Sequence, residues 1–219
     1  MSSSDELQCE YSNRFEGKEN YRNSVWQVLT RDYFQKIIGE NKSILDLGCG
    51  WGEFINNISA DKKIAMDLNP DSKRKVEGNV VVYNQDCSDN WQIEESTLDF
   101  VFTSNFLEHL PNKSSLTNTL KHAFKSLKKG GKILCLGPNL LYTGDSYWDF
   151  YDHHIGLTHN SMKEALELVG FKVKTVIPKF LPYTMSDGKE PPIILLKLYL
   201  KVPLFWKVFG KQFFIVAEK

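Results

Sequence analysis

Three observations in the 219-residue chain predict an α/β fold whose open, mostly parallel sheet is covered by helices on both faces. Ser43 to Phe54 is a short apolar run that ends in Gly48, Gly50 and Gly52, as a buried strand does when it enters a tight turn. Short β-prone runs then alternate with segments of helical period. Polar residues follow the strand-like runs, at the edge where open parallel sheets gather ligands.

The composition, 42% hydrophobic and 25% charged, is that of an ordinary globular protein with one full core. Lys plus Arg and Asp plus Glu both number 27, so the net charge is zero and nothing draws the whole molecule toward nucleic acid. Any basic surface is local. Cys9, Cys49, Cys87 and Cys135 are scattered without a C-x-x-C pair, as suits a reduced cytosol. Met1 to Glu10 is polar and acidic, unlike a secretion signal, and no apolar run of about 18 residues predicts a spanning helix. The expected compartment is the cytoplasm.

In chain order, residues 1–40 read as an N-terminal helical cap, with Val25, Trp26, Leu29, Tyr33, Phe34, Ile37 and Ile38 on one face of a helix from Tyr21 to Ile38 that Gly39 ends. Tyr11, Phe15 and Tyr21 are explained by packing or exposure at least as well as by a ligand. Ile44, Leu45 and Leu47 make the first strand, and the turn that follows exposes backbone and the free N–H groups of a helix from Glu53 to Ser59 to a polar small molecule. Its spacing departs from the dinucleotide pattern G-x-G-x-x-G, which disfavours a nicotinamide or flavin.

Lys63 to Met66 is a second strand ending at Asp67, about twenty residues beyond the first glycine, where a carboxylate can accept from both hydroxyls of a ribose. A third strand lies within Asn79 to Tyr83, and Asp86 follows it where a carboxylate can receive an adenine amino group. Leu98 to Thr103 is a fourth, leading into Ser104 to Pro111. Ser114 to Leu127 has a helical apolar face, which Lys128-Lys129-Gly130-Gly131 is expected to close before a fifth strand, Lys132 to Leu136. A loop containing Tyr147-Trp148-Asp149-Phe150-Tyr151-Asp152-His153-His154 precedes a helix from Asn160 to Gly170. Phe171 to Ile177 and Gln212 to Ala217 supply the last two strands.

Together these stretches resemble a Rossmann-like (class I) S-adenosylmethionine-dependent methyltransferase of the methyltransferase-domain, type 11/12-like, kind. The first motif is similar to Leu45-Asp46-Leu47-Gly48-Cys49-Gly50-Trp51-Gly52, and the fourth-strand and fifth-strand motifs to Leu98–Leu110 and Leu127–Lys132. The resemblance implies a three-layer α/β/α sandwich of about seven strands with an antiparallel C-terminal strand, over residues 41–219. It implies that Asp46 and the turn of Gly48, Cys49, Gly50 and Gly52 hold the methionine part of the cofactor. By the same resemblance Asp67, with Leu68, serves the ribose, Asp86 and Cys87 serve the adenine, and Asn105 lies near the methyl donor.

Methyl transfer is an in-line displacement, and a neutral amine or hydroxyl acceptor must also lose a proton. Glu108, His109, His153, His154 and His159 are the candidate bases, with Glu108, His109 and His153 favoured and the Tyr147–His154 loop as the expected acceptor pocket. Asn105-Phe106-Leu107-Glu108-His109 is also similar to the E-x-x-E-H metal motif of some O-methyltransferases. Its first carboxylate is Asn105 here, so a divalent metal is disfavoured and no metal ligand is assigned.

The expected acceptor is a small molecule methylated at oxygen, such as a sugar, a glycan or a natural-product precursor, free or lipid-linked. RNA and protein acceptors, and a cofactor-binding regulatory protein without turnover, are the alternatives. An apolar, Lys-bearing insertion at about 178–210 admits core packing, taken as the default, a lid, or peripheral membrane contact, with Pro203 breaking any helix in it.

Overall fold

The computed structural model describes residues 17–183 and 190–219. Cys9, Tyr11 and Phe15 lie outside the described residues. Helix α1 (Glu19–Leu29) passes through a π turn (Thr30–Phe34) into α2 (Gln35–Ile38), so the helix expected from the spacing is present with one wider turn inside it. Val28, Leu29, Phe34 and Ile38 are buried along it, and Gly39 ends it at φ 75°, a left-handed conformation that favours glycine. Tyr21 donates its hydroxyl hydrogen to the carbonyl of Pro191, an exposed contact with no sign of chemistry.

Strands β1 (Ser43–Leu47), β2 (Lys62–Met66), β3 (Val80–Tyr83), β4 (Leu98–Ser104), β5 (Leu127–Pro138), β6 (Lys172–Ile177) and β7 (Gln212–Glu218) form one sheet in the order β3-β2-β1-β4-β5-β7-β6. β1 with β2, β2 with β3, and β4 with β5 are parallel, whereas β7 runs antiparallel to both β5 and β6. This is the mostly parallel, Rossmann-like sheet that the sequence predicts. Ile44, Leu45 and Leu47 of β1 and Leu98, Val101 and Phe102 of β4 are buried irrespective of alternation, as inner strands of a parallel sheet are.

Two of the helices begin at side-chain caps. In α5 (Lys113–Ser126) the Asn112 side chain accepts the Ser115 N–H, and Thr158 with Ser161 forms a reciprocal capping box on α7 (His159–Val169). Gly170 then takes φ 115°. Short helices α3 (Glu53–Asn57), α4 (Ser72–Lys75) and α6 (Leu140–Thr143) follow β1, β2 and β5. Lys128 to Gly131 do not close α5, contrary to expectation. The chain leaves α5 directly into β5, Gly130 donating to the Lys219 carbonyl and Lys219 to that of Gly131, so pairing with the chain end wins over a local cap.

Backbone packing divides the chain into two compact units, one of residues up to Cys87 with Glu190–Lys201, the other of residues from Ser88 with Val202–Lys219. Helix α8 (Ile193–Lys201), in the first, buries Tyr199 and Leu200 and packs on α1 and the π turn. Helix α9 (Pro203–Phe209), in the second, begins at the proline and buries none of its residues. The core packing expected of this insertion therefore holds for part of α8, and in α9 only Trp206 is not exposed, packing on the buried Phe180.

Candidate active site

In the first unit the glycine turn is stitched to the end of β2, since Gly48 and Cys49 both donate to the Met66 carbonyl. Gly48, Gly50 and Gly52 have φ values of 72°, 53° and 81°, which side chains rarely adopt. The Gly50 N–H donates to Asp67 Oδ2 at 2.7 Å and the Asn69 N–H to Asp67 Oδ1 at 2.8 Å, so two backbone groups aim the Asp67 carboxylate. Each carboxylate oxygen has two lone-pair sites, so accepting one backbone N–H does not by itself saturate it. Asn84 fastens the next segment by donating to the carbonyls of Asp67 and Leu68.

Asp46 is buried, and its carboxyl is held well above the usual range by burial and by the charges of Glu53 and Asp67, against the opposing hydrogen bond from the Ile55 N–H. Three carboxyl groups thus surround the turn. Arg22 Nε meets Glu53 Oε1 at 2.6 Å and so pairs with the one nearest α1. Buried acids beside a bare glycine turn match a ligand with positive charge, and S-adenosylmethionine carries both a sulfonium and an ammonium. Asp86 is half-buried and Cys87 buried, just beyond β3.

In the second unit β4 ends at Ser104, and the next residue, Asn105, adopts φ 47°, a conformation that side chains rarely adopt, with its buried Oδ1 lacking a hydrogen-bond partner among the described residues. The next turn is a single 3-10 turn, Leu107–His109. Its Glu108 carbonyl accepts from both His154 N–H and Ile155 N–H, which docks the His153 loop against it.

His109 Nδ1 lies 3.1 Å from Asp152 Oδ2 and 3.1 Å from the Asp152 carbonyl. Both are acceptors, so Nδ1 carries the hydrogen and Nε2 is turned toward Glu108, 3.9 Å from Oε1. The ring of His153 meets that of His109 edge-on at 4.8 Å, and Phe150 stacks on His153 at 5.1 Å. Burial pushes the Glu108 carboxyl up to about 7, partly opposed by the charge of His109. Burial by itself lowers His109, yet the Asp152 hydrogen bond and the Glu108 charge outweigh it and raise its pKa. Ligand atoms of Glu108, His109 and His153 lie within 4.8 Å of one another, so these three are the residues, among those described, that could also hold a metal ion.

The structure brings together Glu108, His109 and His153 and leaves the other histidines out. His154 is exposed, and His159 Nδ1 is 2.9 Å from the Asn139 amide while its ring stacks on Tyr142. The expected acceptor loop also divides. Tyr147 is fully buried, donating to the Ile155 carbonyl and accepting from the Leu157 N–H, so it builds the core rather than a pocket. Trp148 is half-exposed and Tyr151 projects into solvent. Two contributors were missed in the sequence, Asn69 and Asp152. Asp152 stands in a conspicuous acidic and aromatic run, but only the fold pairs it with a histidine 43 residues earlier.

No curated protein matches the chain. Among solved structures it is similar to an S-adenosylmethionine-dependent methyltransferase from Archaeoglobus fulgidus, at 24% identity and a TM-score of 0.67, over 96% of this chain and 99% of that one. It is similar also to a chain of the Haloferax volcanii complex between the Trm112 methyltransferase activator and a candidate methyltransferase (15% identity, TM-score 0.69, 99% and 97% covered). The [4+2]-cyclase SpnF has the same fold (14% identity, TM-score 0.65, 99% and 96% covered). These likenesses show the fold. The family model described as methyltransferase domain matches residues 19–176, most of the chain and all of the glycine turn, Asp67, Asp86 and Glu108 to His153. The chain therefore belongs to the methyltransferase-domain family, as a class I, S-adenosylmethionine-dependent methyltransferase.

Proposed function

We propose that the protein methylates a hydroxyl oxygen of a small-molecule acceptor, a sugar, glycan or natural-product precursor, with His109 as the general base. The observation that carries this is the anchored imidazole: Asp152 accepts Nδ1–H, which leaves Nε2, on the side of Glu108, as the ring nitrogen able to take a proton. Asp46, the Gly48–Gly52 turn with Cys49, Asp67 with Leu68, Asp86 with Cys87, and Asn105 hold the cofactor in this reading. Bound there, S-adenosylmethionine would supply an electrophilic methyl group to the acceptor oxygen, the S–CH3 bond breaking with its electron pair left on sulfur to give S-adenosylhomocysteine.

The residues of the chain then have a proton to manage. As the new O–C bond forms, the acceptor hydroxyl gives its proton to His109 Nε2, and the Asp152 carboxylate stabilises the resulting imidazolium. Glu108, whose carboxyl burial raises to about 7, stands 3.9 Å from Nε2, and His153 packs edge-on against the ring. The exposed aromatic faces of Trp148 and Tyr151, on the loop that carries Asp152, suit stacking on a sugar ring.

Two measurements test the reading. Calorimetry should show binding of S-adenosylhomocysteine and none of NAD; the reverse, or neither, would sink it. On an acceptor panel of free and lipid-linked glycosides, phenols, RNA and peptides, His109→Gln should lower kcat by about 10²- to 10⁴-fold with cofactor affinity unchanged. Full activity in that variant removes His109 as the base, and turnover only on RNA or protein removes the small-molecule acceptor. Cofactor binding without turnover on any acceptor supports a regulatory binder instead.

A further inference from the structure

We propose that α9 docks the protein on the surface of an anionic lipid bilayer. At about 100° per residue, Leu204, Val208, Phe205 and Phe209 sweep an arc of roughly 140° on this helix. They are 64%, 61%, 40% and 58% exposed. Trp206 points the opposite way and packs edge-on against the buried Phe180 at 5.0 Å, which pins the helix with its apolar arc outward. Gly210, just beyond, lies so close to the backbone of Lys179 that an added Cβ would stand 2.5 Å from its carbonyl carbon. Trp206 on one side and this close backbone approach at its end hold the helix with the arc outward.

Charge identifies the occupant. Lys207 flanks the arc and Lys211 follows it, both exposed, and residues 191–217 hold four lysines with no aspartate or glutamate. Lysines bordering an apolar arc place their ammonium groups among acidic headgroups while the arc enters the acyl boundary. A second copy of the chain fits worse, because a self-complementary contact would set these lysines against their own images. No helix among the described residues is long and apolar enough to cross a membrane, so the contact is interfacial. Helix α8, considered by itself, repeats the pattern with Ile194, Leu195 and Leu198 exposed beside Lys197.

The inference stands apart from methyl transfer and is tested without it. The full chain is sedimented with vesicles of phosphatidylcholine alone and with vesicles containing phosphatidylglycerol, at low and high salt. Binding to the anionic vesicles that weakens with salt is expected. Phe205→Ser with Phe209→Ser should reduce it about tenfold or more, and Lys207→Glu with Lys211→Glu at least about fivefold per lysine. Unchanged melting and S-adenosylhomocysteine affinity would show that these surface variants fold. No sedimentation with anionic vesicles, or equal sedimentation with neutral ones, overturns the proposal. So does a dimer in light scattering that the Phe205 and Phe209 variant dissociates.

Discussion

Replacing Gly52 with alanine tests the glycine turn most directly. Gly52 has φ 81°, and a Cβ there would stand 2.8 Å from Val76 Cγ2. The left-handed backbone costs a non-glycine residue roughly 1–2 kcal/mol. The clash adds to it, because a β-branched valine cannot swing its methyl away cheaply. Nor can the backbone of Val76 retreat, since the Asn56 side chain donates to the Lys75 carbonyl and accepts from the Glu77 N–H, clamping both neighbours. Overpacking of this kind costs about 1–3 kcal/mol. The sum is about 2–5 kcal/mol, or a fall of roughly 5–20 °C in Tm for a chain of this size.

Thermal or urea unfolding measures the loss, and calorimetry should show S-adenosylhomocysteine binding at least about tenfold weaker. Adding Val76→Ala should relieve the clash but not the backbone cost, giving a coupling of about 1 kcal/mol or more in the double-mutant cycle. A loss below about 0.5 kcal/mol with unchanged affinity would refute the claim that this turn needs glycine. Zero coupling would remove Val76 as the cause.

Four further outcomes are expected. Asp152→Asn removes the carboxylate that raises His109, so the acidic limb of the pH–rate profile should move to lower pH and kcat fall, while KM for the methyl donor stays; an unmoved limb would leave Asp152 a merely structural role. Glu108 is raised from the usual 4.5 to about 7 by burial, so the fold prefers its protonated form, and its contribution is complete below about pH 4.5 and lost as pH rises through about 7. That loss is about 3 kcal/mol, and urea titrations of Glu108→Gln against wild type should show this part of the slope gone. Tyr147→Phe strands the Ile155 carbonyl and the Leu157 N–H, costing about 1–3 kcal/mol by denaturant melting, and wild-type stability would show that these groups find other partners. Finally, turnover should survive dialysis against EDTA, and activity lost on chelation and restored by a divalent cation would convert Glu108, His109 and His153 into metal ligands.

The chain's sequence determined the parts whose information is local. Strand ends, the glycine turn and the helix stops at Gly39 and Gly170 follow from torsional preference and apolar period, which act within a few residues. The family was legible for the same reason, because Asp46 near the end of β1 and then Gly48 to Gly52, Asp67 and Asp86 beyond successive strands stand at regular spacing. Only the tertiary structure decided what depends on partners far along the chain. Lys128 to Gly131 became strand because Lys219 pairs with them, and Tyr147 became core because Ile155 and Leu157 satisfy its hydroxyl. His109 acquired its anchor from Asp152 only when the Glu108 carbonyl captured the following loop. The apolar residues of α9 read from sequence as core, because hydrophobicity states that a side chain avoids water and not which surface covers it. Trp206 against Phe180 decided that, by turning Leu204, Phe205, Val208 and Phe209 outward.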